Sequence, residues 1–163
     1  MIDGELKTKI NSYLFNKKGK YNVYFIFDSF LSNLSKFFYF CTNLEELDFS
    51  AFIPEYLYDM NSMCSEYISL KNFSSFNTEN VSDLSFIFYN CSSLREIDLS
   101  SFKTNKVKNM EKMFLDCQKL EKINISSFVT NNVTNMRLMF GRCYSLKEIN
   151  LASFHTQNVK DML

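Results

Sequence analysis

Three nearly identical segments follow one another in this chain, and they constrain its fold more than any other feature. Residues 80–104 read NVSDLSFIFYNCSSLREIDLSSFKT, residues 106–130 read KVKNMEKMFLDCQKLEKINISSFVT, and residues 132–156 read NVTNMRLMFGRCYSLKEINLASFHT. Cys91, Cys117 and Cys143 mark a period of 26, and Cys41 precedes Cys91 by 50, which fits two units with a two-residue deletion. Such a period is typical of solenoids, in which each unit buries its apolar face against its neighbours.

Each unit contains two apolar periods. The first is typical of one face of a helix, and in the third copy it comprises Val133, Met136, Met139, Phe140 and Cys143. The second is the alternation of a strand, since Ile149 and Leu151 are separated by Asn150. The pattern predicts an α/β solenoid with a short helix and a short parallel strand in each repeat of 24–26 residues.

The predicted elements also predict a shape and a core. Parallel strands stack about 4.8 Å apart, whereas helices need about 8–10 Å, so the stack should curve with its strands on the inner side. The residues expected in the core of the last two full units are Met113, Phe114, Met139 and Phe140, with Ile123, Ile125, Ile149 and Leu151 beneath them.

The repeat resembles a known family. The consensus V-x-[ND]-[ML]-x-x-[MI]-F-x-x-C-x-x-L-x-x-I-x-L-S-S-F-x-T is similar to that of the BspA-like leucine-rich repeats of the DUF285 type, closely over residues 80–162 and more loosely over residues 31–79. The resemblance implies a solenoid of the kind found in bacterial and protist proteins, often at cell surfaces. It also implies a role in adhesion or protein binding.

The resemblance and the spacing together predict the domain organisation. Residues 1–30 read as strand, turn, strand, and we expect them to form a β-hairpin cap whose residues 24–27 join the sheet of the solenoid. Residues 31–163 form about five repeats, the last of them truncated. The second unit is shorter, so its strand register around residues 56–79 stays open. Residues 158–163 begin a new helix, and the uncapped end predicts self-association.

Composition limits the classes of partner. Eighteen basic and eighteen acidic side chains give a formal net charge of +0, which favours neither nucleic acid nor an anionic membrane. The sequence lacks a secretory signal and any apolar stretch of about 18 residues that could span a membrane. The default expectation is a cytoplasmic protein, and the alternative is the cell surface, as the family resemblance implies.

Three columns of equivalent residues have structural interpretations. The cysteines at 41, 91, 117 and 143 are expected to be buried free thiols, because stacked helices hold their Cα atoms too far apart for disulfides. Cys64 lies outside that column. Asx residues that precede Met or Leu are expected to cap the helices, and they are Asp59, Asp83, Asn109, Asn135 and Asp161. Threonines after the strands are expected to bond to the main chain of the next unit.

The candidate binding surface is the outward face of the strands. Its predicted ligand-binding residues are Glu46, Asp48, Glu96, Asp98, Lys122, Asn124, Glu148 and Asn150. The inner face of a solenoid is the usual binding surface, although solvated strand faces have the same polar composition.

Catalysis is not expected. His155 is the only histidine, and the sequence contains no catalytic, phosphate-binding or metal-ligand motif that we recognise. We therefore expect no cofactor and no metal. The leading hypothesis is a non-catalytic scaffold that binds a protein or a glycan, and the alternative is a structural spacer within a longer protein.

Overall fold

The computed structural model describes residues 30–43, 45–74 and 76–162, which wind into stacked coils. Coils 1 to 5 begin at equivalent Asx residues, which are Asn33, Asp59, Asp83, Asn109 and Asn135. One strand lies in each of the first four coils: β1 at Glu46–Leu47, β2 at Asn72–Phe73, β3 at Glu96–Asp98 and β4 at Lys122–Asn124. The expected cap, including residues 24–27, lies outside the described residues except for Phe30.

The strands pair in parallel, in two separate pairs. Glu46 is the partner of Asn72 in the β1–β2 pair, and Glu96 is the partner of Lys122 in the β3–β4 pair. This register answers the question that the sequence left open in coil 2. Phe76 lies four positions after Asn72, whereas Phe102 lies six positions after Glu96, so the two-residue deletion lies after β2.

The predicted helices are wrong, because the described residues contain no helix. The apolar segments form consecutive turns instead, and we call residues 34–41, 60–67, 84–91, 110–117 and 136–143 the turn segments. In coil 4, the Met113 N–H donates to the Met110 carbonyl at 3.3 Å and the Cys117 N–H donates to the Phe114 carbonyl at 3.1 Å. Successive four-residue turns bury Met110, Met113, Phe114 and Cys117, a spacing that one face of a helix shares, so the apolar pattern was read as a helix.

Each turn segment contains two non-glycine residues with a positive φ. In coil 4 these are Lys112 (φ 51°) and Asp116 (φ 63°), each the third residue of a hydrogen-bonded turn. A positive φ at that place fits a type II turn, which glycine or asparagine normally favours. The same pair of places has positive φ in every coil, so stacking enforces the conformation where the residue type does not.

Alternate main-chain N–H groups of each turn segment bond to the next coil, and we call this set of bonds the outer ladder. The N–H groups of Lys112, Phe114 and Asp116 donate to coil 5 at 2.8–2.9 Å. The outer side of the stack therefore has the spacing of hydrogen-bonded strands, not of packed helices. The expected curvature rested on a difference in spacing between the two sides, and the outer ladder removes that reason for it.

The core lies between the strands and the turn segments. Phe88, Phe114 and Phe140 stack with ring centroids 5.4 and 5.6 Å apart, and Phe102 and Phe128 lie 6.5 Å apart in a second column. Of the predicted core residues, Met113, Phe114, Ile125 and Met139 are buried, while Ile123, Phe140 and Ile149 are partly buried. Leu151 is 42% exposed, so its predicted burial is wrong. Coil 5 contains no described strand, and its far side is covered by a short described segment that ends at residue 162, in which Asp161 forms a bridge with Asn135.

Candidate functional site

An open groove of about 650 Å³ runs across the outward face of all four strands. We call it the strand-face groove. The alternation of each strand builds it, since Glu96 and Asp98 point outward while Ile97 between them is buried. Its lining is Glu46, Leu47, Asp48, Asn72, Phe73, Ser74, Glu96, Ile97, Asp98, Lys122, Ile123 and Asn124.

Side chains in the groove bond to their equivalents in the paired strand. Asn72 Nδ2 donates to Glu46 Oε1 at 2.9 Å, and Lys122 Nζ lies 2.7 Å from Glu96 Oε1. That ammonium–carboxylate bond raises the pKa of Lys122. We call Glu46, Asn72, Glu96 and Lys122 the first row of the groove, and Asp48, Ser74, Asp98 and Asn124 the second row. In the second row the Ser74 hydroxyl donates to Asp48 Oδ1 at 2.9 Å. The first row is thus bonded within both strand pairs, and the second row within the β1–β2 pair.

The acidic residues of the second row also shape the turn that follows the strand. Asp48 Oδ1 accepts from the Ser50 N–H at 2.8 Å, and Asp98 Oδ1 accepts from the Ser100 N–H at 2.8 Å. These main-chain donors hold the pKa of both carboxyls below the usual range. Asn124 makes the equivalent bond to Ser126. This row therefore has a local structural role, whether or not it also contacts a ligand.

Six of the eight predicted site residues line the groove together, and two do not. Glu148 lies in a neighbouring hollow with Lys122 and Tyr144. Asn150 bonds to the Ala152 N–H at 3.0 Å, and no described strand continues the sheet to it. Sequence reasoning missed Asn72 and Ser74, because the deletion in coil 2 hid their alignment with Glu46 and Asp48. The 26-residue step from Glu46 to Asn72 was the signal that could have found them.

The comparisons with known proteins give the family. The family model described as "Mycoplasma protein of unknown function, DUF285" matches residues 12–94 and 58–163, which together span most of the chain. The chain belongs to the DUF285 family. This confirms the resemblance on which the sequence analysis drew.

A solved structure, of a leucine-rich repeat protein from Eubacterium ventriosum, is similar to this DUF285 chain. It covers 71% of this chain and 28% of that one, at 18% sequence identity with a TM-score of 0.46. This chain therefore spans less than a third of the length of that protein. No curated protein matches the sequence.

The DUF285 cysteine column is a hydrogen-bonding column in the core. Cys117 Sγ donates to the Phe88 carbonyl at 3.1 Å, and Cys143 Sγ donates to the Phe114 carbonyl at 3.1 Å. All five cysteines are free; of the four expected to be buried, Cys91 and Cys117 are buried, whereas Cys41 and Cys143 are partly exposed. Burial raises the pKa of each thiol, well above its usual range for Cys91 and Cys117 and to about 11 for Cys143. A neutral thiol of that kind donates a hydrogen bond and is a poor nucleophile.

Coil 2 exchanges the residue types at two core places. Cys64 occupies the place of Phe88 and Phe114, and Tyr67 occupies the place of Cys91 and Cys117. Both side chains are fully buried. In coil 2 the aromatic side chain therefore stands at the cysteine position of the other coils, and the cysteine stands at their phenylalanine position. Among the buried side-chain N and O atoms of the described residues, the Tyr67 hydroxyl oxygen has no hydrogen-bond partner. Burial also raises the pKa of Tyr67.

The predicted Asx caps are caps of turns. Asp83 Oδ1 accepts from the Ser85 N–H at 2.8 Å, and Asn109 Oδ1 accepts from the Glu111 N–H at 3.0 Å. The predicted bond of the threonines is confirmed, since Thr104 Oγ1 donates to the Val129 carbonyl of the next coil at 2.9 Å. Both columns therefore hold the coils together.

The described residues offer little for other chemistry. Residues 30–43, 45–74 and 76–162 contain no group of three or more His, Cys, Asp or Glu side chains placed to hold a metal ion. His155 is exposed, with Nδ1 3.0 Å from the Ser153 carbonyl oxygen. Within the same residues no helix is long and apolar enough to cross a membrane.

Proposed function

We propose that this repeat scaffold is non-catalytic and binds a protein segment along the strand-face groove. The observation that carries the proposal is the groove itself, which has a volume of about 650 Å³ and runs across the strands of four coils. Extended inner surfaces are where solenoid proteins usually bind their partners.

The charges of the groove select the kind of partner. Four carboxylates, those of Glu46, Asp48, Glu96 and Asp98, face one ammonium group, that of Lys122. Complementary charge steers association and selects among partners more than it raises affinity. The partner that fits is an extended protein segment rich in lysine or arginine. A glycan, the other class considered from the sequence, has no cationic groups with which to complement this surface.

The test measures binding of a short fluorescent Lys/Ser-repeat peptide by anisotropy, beside its Glu/Ser counterpart. We expect the basic peptide alone to bind, and its affinity to fall as salt rises, because ions screen exposed charges over about 10 Å at 0.1 M. The double variant Glu46→Gln with Glu96→Gln should bind at least about tenfold more weakly, since it removes two groove charges.

The control removes the same number of charges elsewhere. Glu55→Gln with Glu79→Gln alters exposed carboxylates that do not line the groove, so it should bind like the unaltered chain. Equal weakening by both double variants would show a non-specific charge effect and overturn the proposed site. Binding of a neutral glycan array in place of the peptide would overturn the choice of partner.

One observation favours the alternative, a structural spacer. The groove side chains already bond to one another, as in the Asn72–Glu46 and Lys122–Glu96 contacts. A spacer needs such bonds for stability and no partner at all. If neither peptide nor glycan binds, and the Glu→Gln variants lower only the midpoint of unfolding, the spacer is the better description.

A further inference from the structure

Carboxylates and neutral side chains alternate along the second row of the strand-face groove. Asp48 lies in coil 1 and Asp98 in coil 3, while Ser74 and Asn124 occupy the equivalent places of coils 2 and 4. Both aspartates are exposed, and the main-chain N–H bonds that each accepts hold its pKa below the usual range. The row therefore presents a negative charge in every second coil.

These two carboxylates have no cationic partner in the described part of the chain. In the first row, Lys122 neutralises Glu96, with Nζ 2.7 Å from Oε1. Neither Asp48 nor Asp98 forms an ion pair with another described side chain, and both accept hydrogen bonds from neutral serines instead. A cationic ligand can therefore pair with both aspartates without displacing an existing ion pair.

The stacking of the coils sets the distance between the two aspartates. β1 pairs directly with β2, which brings coil 1 against coil 2. Coils 2 and 3 are bonded on both sides of the stack: the Cys64 N–H donates to the Ile87 carbonyl at 2.9 Å in the outer ladder, and the Lys103 N–H donates to Thr78 Oγ1 at 3.0 Å after the strands. Hydrogen-bonded strands lie about 4.8 Å apart, so two coils separate the aspartates by about 9.6 Å along the stack.

The shape of the groove directs a bound chain along the stack. The two rows are two residues apart on each strand, about 6.7 Å, whereas the three steps between four coils span about 14 Å. The main-chain hydrogen bonds of a sheet lie in its plane, so this face presents side chains to a ligand. The ligand backbone that fits is one that needs no main-chain partner.

Polyproline II is such a backbone, because it is solvated and has no internal hydrogen bonds. With three residues per turn and a rise of about 3.1 Å, it places side chains three positions apart on one face, about 9.3 Å from each other. That distance matches the spacing of Asp48 and Asp98. Side chains on one face of a β-strand recur at about 6.7 Å and about 13 Å, and neither distance matches.

We propose, building on the proposed function, that the partner segment lies along the stack in the polyproline II conformation and has lysine or arginine at every third position. One basic side chain pairs with Asp48, and the next pairs with Asp98. The two intervening residues pass over coil 2, where Ser74 is neutral. The spacing of the aspartates therefore selects among basic segments, in addition to their charge.

Two fluorescent peptides of nine residues and identical composition test the spacing by anisotropy. One repeats Lys-Pro-Pro three times, and the other has its three lysines at its first, third and fifth positions and proline elsewhere. Both favour polyproline II and have the same charge, so they differ in which lysines share a face. We expect the Lys-Pro-Pro repeat to bind at least about fivefold more tightly.

The variant Asp98→Asn tests the residue pair. It removes one of the two charges and keeps an acceptor for the following N–H, since Asn124 makes the same bond in coil 4. The variant should bind both peptides with about equal affinity, because the second ion pair is lost. Glu55→Gln is the matched control, and it should keep the preference because Glu55 is exposed and lies outside the groove.

The Lys/Ser-repeat peptide, measured in parallel, separates the spacing from the proposed function. Equal affinity of the unaltered chain for all basic peptides would overturn the spacing and leave the proposed function standing. A preference for the Lys-Pro-Pro repeat that survives Asp98→Asn would also overturn the assigned residue pair. If no basic peptide binds, the proposed function fails, and the spacing fails with it.

Discussion

At the scale of single residues, the repeat uses cysteine as a small hydrogen-bond donor. The thiols of Cys91, Cys117 and Cys143 each donate to a main-chain carbonyl of the preceding coil at 3.1–3.3 Å. A buried carbonyl without sufficient partners destabilises the fold, and a thiol supplies a weak donor at little cost in volume. Hydrogen bonding by the buried thiols therefore explains why cysteine recurs at this position, without disulfides or metals.

Burial predicts the order in which the thiols react. Cys91 and Cys117 are fully buried, whereas Cys41 and Cys143 are partly exposed. Under native conditions a thiol reagent should modify Cys41 and Cys143 first, and all five should react together in denaturant. Mass spectrometry of the labelled peptides measures the order. Early labelling of Cys91 or Cys117 would mean that the core is open.

The raised thiol pKa values predict a loss of stability in alkali. The folded pKa of Cys91 and Cys117 lies above the unfolded value of about 8.5, so the stabilisation is complete below that pH. It is lost as the pH rises through the unfolded pKa toward the folded one, because only the unfolded chain ionises. Urea midpoints measured from about pH 7 to about pH 10 should fall. The double variant Cys91→Ala with Cys117→Ala should show a smaller fall, and an equal fall would assign the effect to other groups.

Tyr67 offers a stabilising substitution. Its buried hydroxyl has no hydrogen-bond partner, and such a group costs about 1–3 kcal/mol. Tyr67→Phe should therefore raise the free energy of unfolding, by about 1 kcal/mol. Tyr89→Phe, at a partly exposed place, is the control and should change it little. Lower stability of Tyr67→Phe would mean that the hydroxyl has a partner in solution.

At the scale of the element, the turn segment replaces the helix that the apolar spacing predicts. Its two left-handed residues need the stack to hold them, since Lys, Phe, Leu and Arg occupy such places in different coils. The apolar pattern correctly predicted which side chains of coil 4 are buried, among them Met113 and Phe114. It could not predict the backbone, because helices and successive turns share the same spacing of apolar residues.

Lys112 tests the backbone of this element. Its φ is 51°, a conformation that asparagine tolerates and a β-branched residue does not. Lys112→Val should be less stable than Lys112→Asn by about 1–3 kcal/mol, as measured by urea unfolding. The two variants lose the same contact of the ammonium group with the Phe86 ring, so the comparison isolates the backbone. Equal stability of the two would favour a helical segment.

At the scale of the whole molecule, each coil is stabilised by packing against its neighbours. On the far side of coil 5 the described neighbour is short, since it ends at residue 162 after the Asn135–Asp161 bridge. Tyr144 is 75% exposed and Leu151 is 42% exposed, and Phe140 and Ile149 of the same coil are only partly buried. Exposed apolar side chains promote association in water where they form one patch. We propose that a second copy of the chain covers this end, which keeps the self-association expected from the sequence but no longer places a strand edge there.

Light scattering tests this association on the chain of 163 residues. The unaltered chain should form dimers or larger species at high concentration, and Tyr144→Lys with Leu151→Lys should shift it toward the monomer. Ile53→Lys is the control, because Ile53 is 87% exposed but lies in the loop after β1. A monomeric unaltered chain would overturn the proposed contact.

The sequence by itself determined the repeat, the 26-residue period, the family and most of the core, because these follow from which residue types recur at which spacing. Alternation along a strand also decides which side chains point outward, and six of the eight residues predicted from it to bind a ligand line the groove. The tertiary structure alone decided the turn segments and the outer ladder. Each of these depends on hydrogen bonds between coils about 26 residues apart, and local apolar periodicity contains no information about such bonds.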